Sequence, residues 1–148
     1  MTTRVDFYQL SRDPVELTVA KLAHKALQAG ERLLVVASDE QRRAAIGEAL
    51  WAQGGAAFLA HGNGGDAHAD RQPILISASC EAENGARLAI LADGSWREEA
   101  IGFDRVMLLF DPAGRDAARD LWRRFASDEA IENHIFKQTD SGGWREGA

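Results

Sequence analysis

The chain has 148 residues, 45% hydrophobic and 27% charged, with a formal net charge of −6. That length suits one domain around one core, residues 1–148, and the acid excess disfavours a tight grip on nucleic-acid phosphates. No apolar run reaches the roughly 18 residues of a membrane span, and no secretory signal is expected from the first residues. Cys80 is the only cysteine, which suits a reducing cytoplasm.

Val5 to Leu10 reads as an opening strand. Asp13-Pro14 then signals a helix start, with Asp13 as the cap and Pro14 at the first helical position. Leu17, Ala20, Leu22, Ala23 and Leu27 recur at helical spacing until Gly30 stops the helix. Leu33 to Ala37 is a short unbroken apolar run, the pattern of a strand covered on both faces in a parallel sheet. A second helix, capped by Ser38 or Asp39, turns Ala45, Ile46, Ala49 and Leu50 inward and ends at Gly54-Gly55. Ala57 to Ala60 is a short third strand, and His61 to Arg71 is an exposed Gly-rich loop.

Ile74–Ser77, Leu88–Leu91 and Val106–Phe110 are further strands, with a helical turn or two between Ser95 and Phe103. Asp111-Pro112 repeats the start signal for a helix running to about Phe125, and a short turn follows Ser127. His134–Gln138 is the last strand, expected to pair antiparallel at an edge, before a turn and Trp144. Alternating strands and helices predict an α/β fold: a three-layer Rossmann-like sandwich, mostly parallel, with helices on both faces.

That architecture often binds nucleotides, but fold does not fix function. The first strand is not followed by G-x-G-x-x-G, and no G-x-x-x-x-G-K-[ST] occurs. Gly62-Asn63-Gly64-Gly65 has no following lysine and reads as a plain loop. His61, Asp66, His68 and Asp70 lack the tight ligand pairs of a zinc site, so no metal or cofactor is expected. Cys80 has Glu81 and Glu83 nearby, which would raise its pKa rather than activate it. His24, within a helix, reads as a surface or boundary residue. No catalytic group is expected; a nucleotide-binding enzyme on the same fold is the alternative.

The late helix carries the most informative pattern. Arg115, Arg119 and Arg123 are spaced four apart and drift slowly around one side, with Trp122 among them. Ala118, Leu121 and Phe125 fall on another side and suit the core. One reading is a solvated face with Asp116–Arg119 and Asp120–Arg123 pairs. The other is a receptor in which guanidinium forks take a carboxylate beside an exposed indole. Spacing alone does not name the ligand.

In order along the chain, VDFYQL, AGERLLVVASDEQ, IGEALW…AAFLAH, FDRVMLLFD and ARDLWRRF resemble the chi subunit of bacterial DNA polymerase III, over Val5 to Trp144. The resemblance implies a non-catalytic, cytoplasmic replication adaptor. Its partners would be the acidic C-terminal tail of single-stranded DNA-binding protein, ending in Pro-Phe, and the clamp-loader complex, in some bacteria through a psi subunit. It assigns the tail's terminal carboxylate to Arg119 and its Phe to Trp122. Arg115 and Arg123 take basic positions, and Trp144 supports the site. Trp51, Phe58 and His61 match a segment associated with psi; Trp51 and Phe58 read equally as core residues. The loop from Gly62 to Ala69 departs from the family pattern.

Overall fold

The computed structural model describes residues 2–54 and 60–147. Its centre is an eight-stranded sheet in the order β3-β4-β2-β5-β6-β1-β7-β8. The strands are β1 (Thr3–Gln9), β2 (Leu33–Val36), β3 (His61–Asn63), β4 (Ile74–Ser77), β5 (Leu88–Leu91), β6 (Arg105–Phe110), β7 (Ile131–Gln138) and β8 (Trp144–Glu146). β1 to β7 run parallel, and only β8 is antiparallel, against β7. The strand at 134–138 is therefore longer than expected and internal: it lies parallel to β1, and β8 takes the antiparallel edge. Residues 57–59 of the expected third strand lie outside the described residues.

Three α-helices are present among the described residues: α1 (Val15–Gln28), α2 (Glu40–Gly54) and α3 (Arg115–Ala126). Side-chain alternation along each strand divides the core in two. Tyr8, Leu33, Val35 and Met107 pack with Val19, Leu22 and Ala23 of α1 and Ile46 and Leu50 of α2. Val5, Phe7, Leu34 and Leu108 pack with Ala118 and Phe125 of α3. Among the described residues, the second face thus carries one α-helix and short 3-10 turns. The expected sandwich is found in its coarser form: α/β, mostly parallel, with few helices.

The two Asp-Pro signals differ in outcome. Asp111 accepts from the Gly114 amide at 3.1 Å and caps a 3-10 turn, Pro112–Gly114, that leads into α3. Asp13 does not cap α1; Pro14 occupies the cap position with no side-chain bond. Asp13 instead accepts from Gln138 Nε2 at 2.9 Å and Lys21 Nζ at 3.3 Å. Gln138 Oε1 in turn accepts from the amides of Ser11, Arg12 and Asp13 at 2.8–3.1 Å. A long-range side chain outcompeted the local cap because it satisfies three amides of one turn at once.

The stretch from His61 to Arg71 is more ordered than its composition implies. It holds β3 and a 3-10 turn, Ala69–Arg71. A Cβ at Gly62 would lie 2.7 Å from Gln72 Cγ, and one at Gly64 would lie 2.7 Å from Ser77 Oγ. Here glycine permits close approach to neighbouring chain.

β1 and β6 are neighbours, yet α1 after β1 packs on one face and α3, reached from β6, packs on the other. The chain direction therefore diverges at their carboxyl ends. In open parallel sheets, such a switch point opens the crevice where ligands sit.

Candidate functional site

A groove of about 330 Å³ opens there, on the α3 side. Sheet alternation supplies its floor: Phe7 and Gln9 of β1, Phe110 of β6, Ile135 and Lys137 of β7. α3 supplies the wall: Arg115, Ala118, Arg119 and Trp122. Three cations line it and no carboxylate does, in a chain whose net charge is −6. Arg115, Arg119 and Lys137 are exposed and form no salt bridge among the described residues. Neither expected helical pair, Asp116–Arg119 or Asp120–Arg123, forms. The cations are thus left available to an outside anion.

Trp122 is half-buried, not an exposed indole. It meets Phe7 edge-on, with ring centroids 5.3 Å apart and planes at 73°. The reason was visible in spacing: residue 122 lies four after Ala118 and three before Phe125, inside the buried stripe. Asn133 Nδ2 donates to the Trp122 carbonyl at 3.3 Å and ties this turn of α3 to β7. The indole serves the core with one edge and the groove with the other.

The remaining residues assigned to the tail lie elsewhere. Arg123 is exposed on α3 but does not line the groove. Trp144 lies on the opposite face of the sheet, edge-on to Tyr8 at 5.0 Å and packed with the α1 core. Antiparallel pairing sets Trp144 opposite Gln138, and that register points it away from α3. It is not brought together with Arg119.

Trp51 is 64% exposed, which removes the core reading for it. Its ring meets His61 edge-on at 6.2 Å, so α2 and β3 present both residues at one edge of the sheet. Phe58 lies outside the described residues.

The other chemical candidates gain nothing from the fold. Among the described residues, no cluster of three or more His, Cys, Asp or Glu is arranged to hold a metal ion. Burial pushes the Cys80 thiol up, with Arg97 opposing and Glu99 and Asp93 adding to the rise. The direction is as expected, but the neighbours are not Glu81 and Glu83.

Gln9, Phe110, Ile135 and Lys137 were not singled out from sequence. A signal existed: Phe7 and Gln9, like Ile135 and Lys137, are two apart on strands and share a face. Their meeting with α3 required the strand order.

A family model described as DNA polymerase III chi subunit, HolC, matches residues 1–131. The match includes α3 and stops where β7 begins, short of Lys137 and Trp144. No curated protein matches the chain.

Proposed function

The chain belongs to the DNA polymerase III chi subunit family, and from that premise we propose that it joins single-stranded DNA-binding protein to the polymerase's clamp-loader complex. The family is an accessory replication subunit, not itself catalytic, and no described helix is long and apolar enough to cross a membrane. The observation that carries the reading is the groove: three unpaired cations over an aromatic and aliphatic floor, with no acid among them.

An acidic tail ending in a Phe carboxylate complements such a surface. The terminal carboxylate takes a charge-assisted hydrogen bond from Arg119. The Phe ring packs on Trp122, Phe7 and Ile135. Arg115 attracts the upstream acids, and Arg123 extends that field along α3 beyond the groove. Trp144 acts only indirectly, by packing beneath β1 and β7 from the other face. The edge bearing Trp51 and His61 is the proposed contact toward the clamp loader, through psi where a psi exists. A Rossmann-like three-layer form of the fold, with helices on both faces of the sheet, belongs to the same reading.

Calorimetric titration with an acidic peptide ending in Pro-Phe tests it. A charged hydrogen bond is worth about 1.5–3 kcal/mol, so Arg119→Ala weakens binding roughly 10- to 100-fold. Added salt weakens it further because the charges are exposed. Unchanged affinity in the variant would remove Arg119 from the site. A thermal shift with nucleotides and none with the peptide would favour a nucleotide-binding protein instead.

A further inference from the structure

We infer that Lys137 of β7 forms the second jaw of the groove and holds the terminal carboxylate of the bound tail from the side opposite Arg119. This rests on the tail-binding reading and adds a residue beyond the family match, which ends at residue 131.

The strand register divides the floor into two rows. Phe7 pairs with Ile135, and Trp122 meets Phe7, so this row is apolar. One strand repeat further, about 7 Å along, Gln9 pairs with Phe110 on one side and Lys137 on the other. This second row lies at the carboxyl ends of the strands, where the start of α3 brings Arg115 and, one turn on, Arg119 to the groove. A cation from the helix wall and a cation from the sheet therefore face a common space, with an aromatic floor beside them. A C-terminal Phe offers the matching pair of groups, a ring and a carboxylate joined through one α-carbon. The ring enters the apolar row and the carboxylate stays in the cationic row.

A second observation supports a functional role. Lys137 pairs in register with Arg145 on β8, and both project to the α3 side, because their neighbours Gln138 and Trp144 project to the other. Like charges directly opposite one another weaken a strand pair. The pair sits at the sheet edge beside a groove that lacks any acid. An anion delivered from outside relieves that repulsion.

The test is anisotropy titration of two labelled peptides, one with a free terminal carboxylate and one amidated, against wild type, Lys137→Ala and Arg87→Ala. Arg87 is exposed, away from the groove, and removes the same net charge. For the free-acid peptide, Lys137→Ala should weaken binding about fivefold, and Arg87→Ala should change little. For the amidated peptide, the loss caused by Lys137→Ala should disappear. Thermal unfolding of Lys137→Ala should be unchanged or slightly raised, since a repulsion is removed. Equal losses for both peptides, or equal losses from Lys137→Ala and Arg87→Ala, would overturn the jaw and leave only general charge attraction. Failure of wild type to bind the free-acid peptide would overturn the underlying reading itself.

Discussion

Truncating Trp122 separates a residue shared by core and groove from one that merely decorates the surface. Complete burial makes Phe or Trp to Ala cost about 3–5 kcal/mol. Trp122 keeps only the smaller part of its surface in water, so more than half of that transfer and cavity cost applies, at least about 2 kcal/mol. The edge-on contact with Phe7 contributes part of this, since such pairs add about 0.5–1.5 kcal/mol beyond area. An indole standing free in solvent would cost within about 0.5 kcal/mol. Urea unfolding of Trp122→Ala should therefore show a lower midpoint at unchanged slope, with a melting point lower by about 4–8 °C. At 25 °C the variant should remain folded, so its peptide affinity can be measured and should fall. Trp122→Phe should recover most of the stability. A destabilisation under about 0.5 kcal/mol would refute the packed indole, and with it the edge-on contact that joins the helix wall to Phe7 of the floor.

The inner face of β1 offers a second test. The Asp6 carboxylate is fully buried and accepts from Arg4 Nε at 2.8 Å and Arg105 Nε at 2.6 Å. Removing one partner of a buried ionic cluster costs about 3–5 kcal/mol. Both arginines retain some solvent, so Asp6→Ala should fall near 3 kcal/mol in chemical denaturation. A loss below about 1 kcal/mol would show that the arginines simply turn to water. Asp93 gives the pH test: burial opposes its charge, but hydrogen bonds from Arg97, Ser38 and Ser95 prevail and hold its carboxyl well below the usual range. A depressed folded-state pKa stabilises the protein above the unfolded value, about 3.9, and that stability fades as pH falls through the folded value. Wild type should thus exceed Asp93→Asn at pH 7 and lose the margin progressively below about pH 4. A margin independent of pH would show that charge is not its source.

The contrast between Asp111 and Asp13 shows where local reading stops. Both precede proline at a helix start, and only Asp111 caps. Asp111 takes the amide three residues on, whereas Asp13 is claimed by Gln138, well over a hundred residues away along the chain. Trp122 failed differently: its place in the 118–125 stripe was legible, but its alternation with arginines drew attention to the wrong side. Lys137 was illegible because a strand residue gains meaning only from what faces it.

Apolar runs such as Leu33–Val36 specify buried parallel strands from sequence alone, since burial on both faces demands unbroken hydrophobicity. Spacing likewise fixed α3, its arginines and its stripe. Only the tertiary structure set β7 parallel beside β1, sent Trp144 to the opposite face, and brought Arg119 and Lys137 to the lining of one groove. Local propensity acts within a few residues, while strand order is decided by the joint burial of segments far apart in the chain.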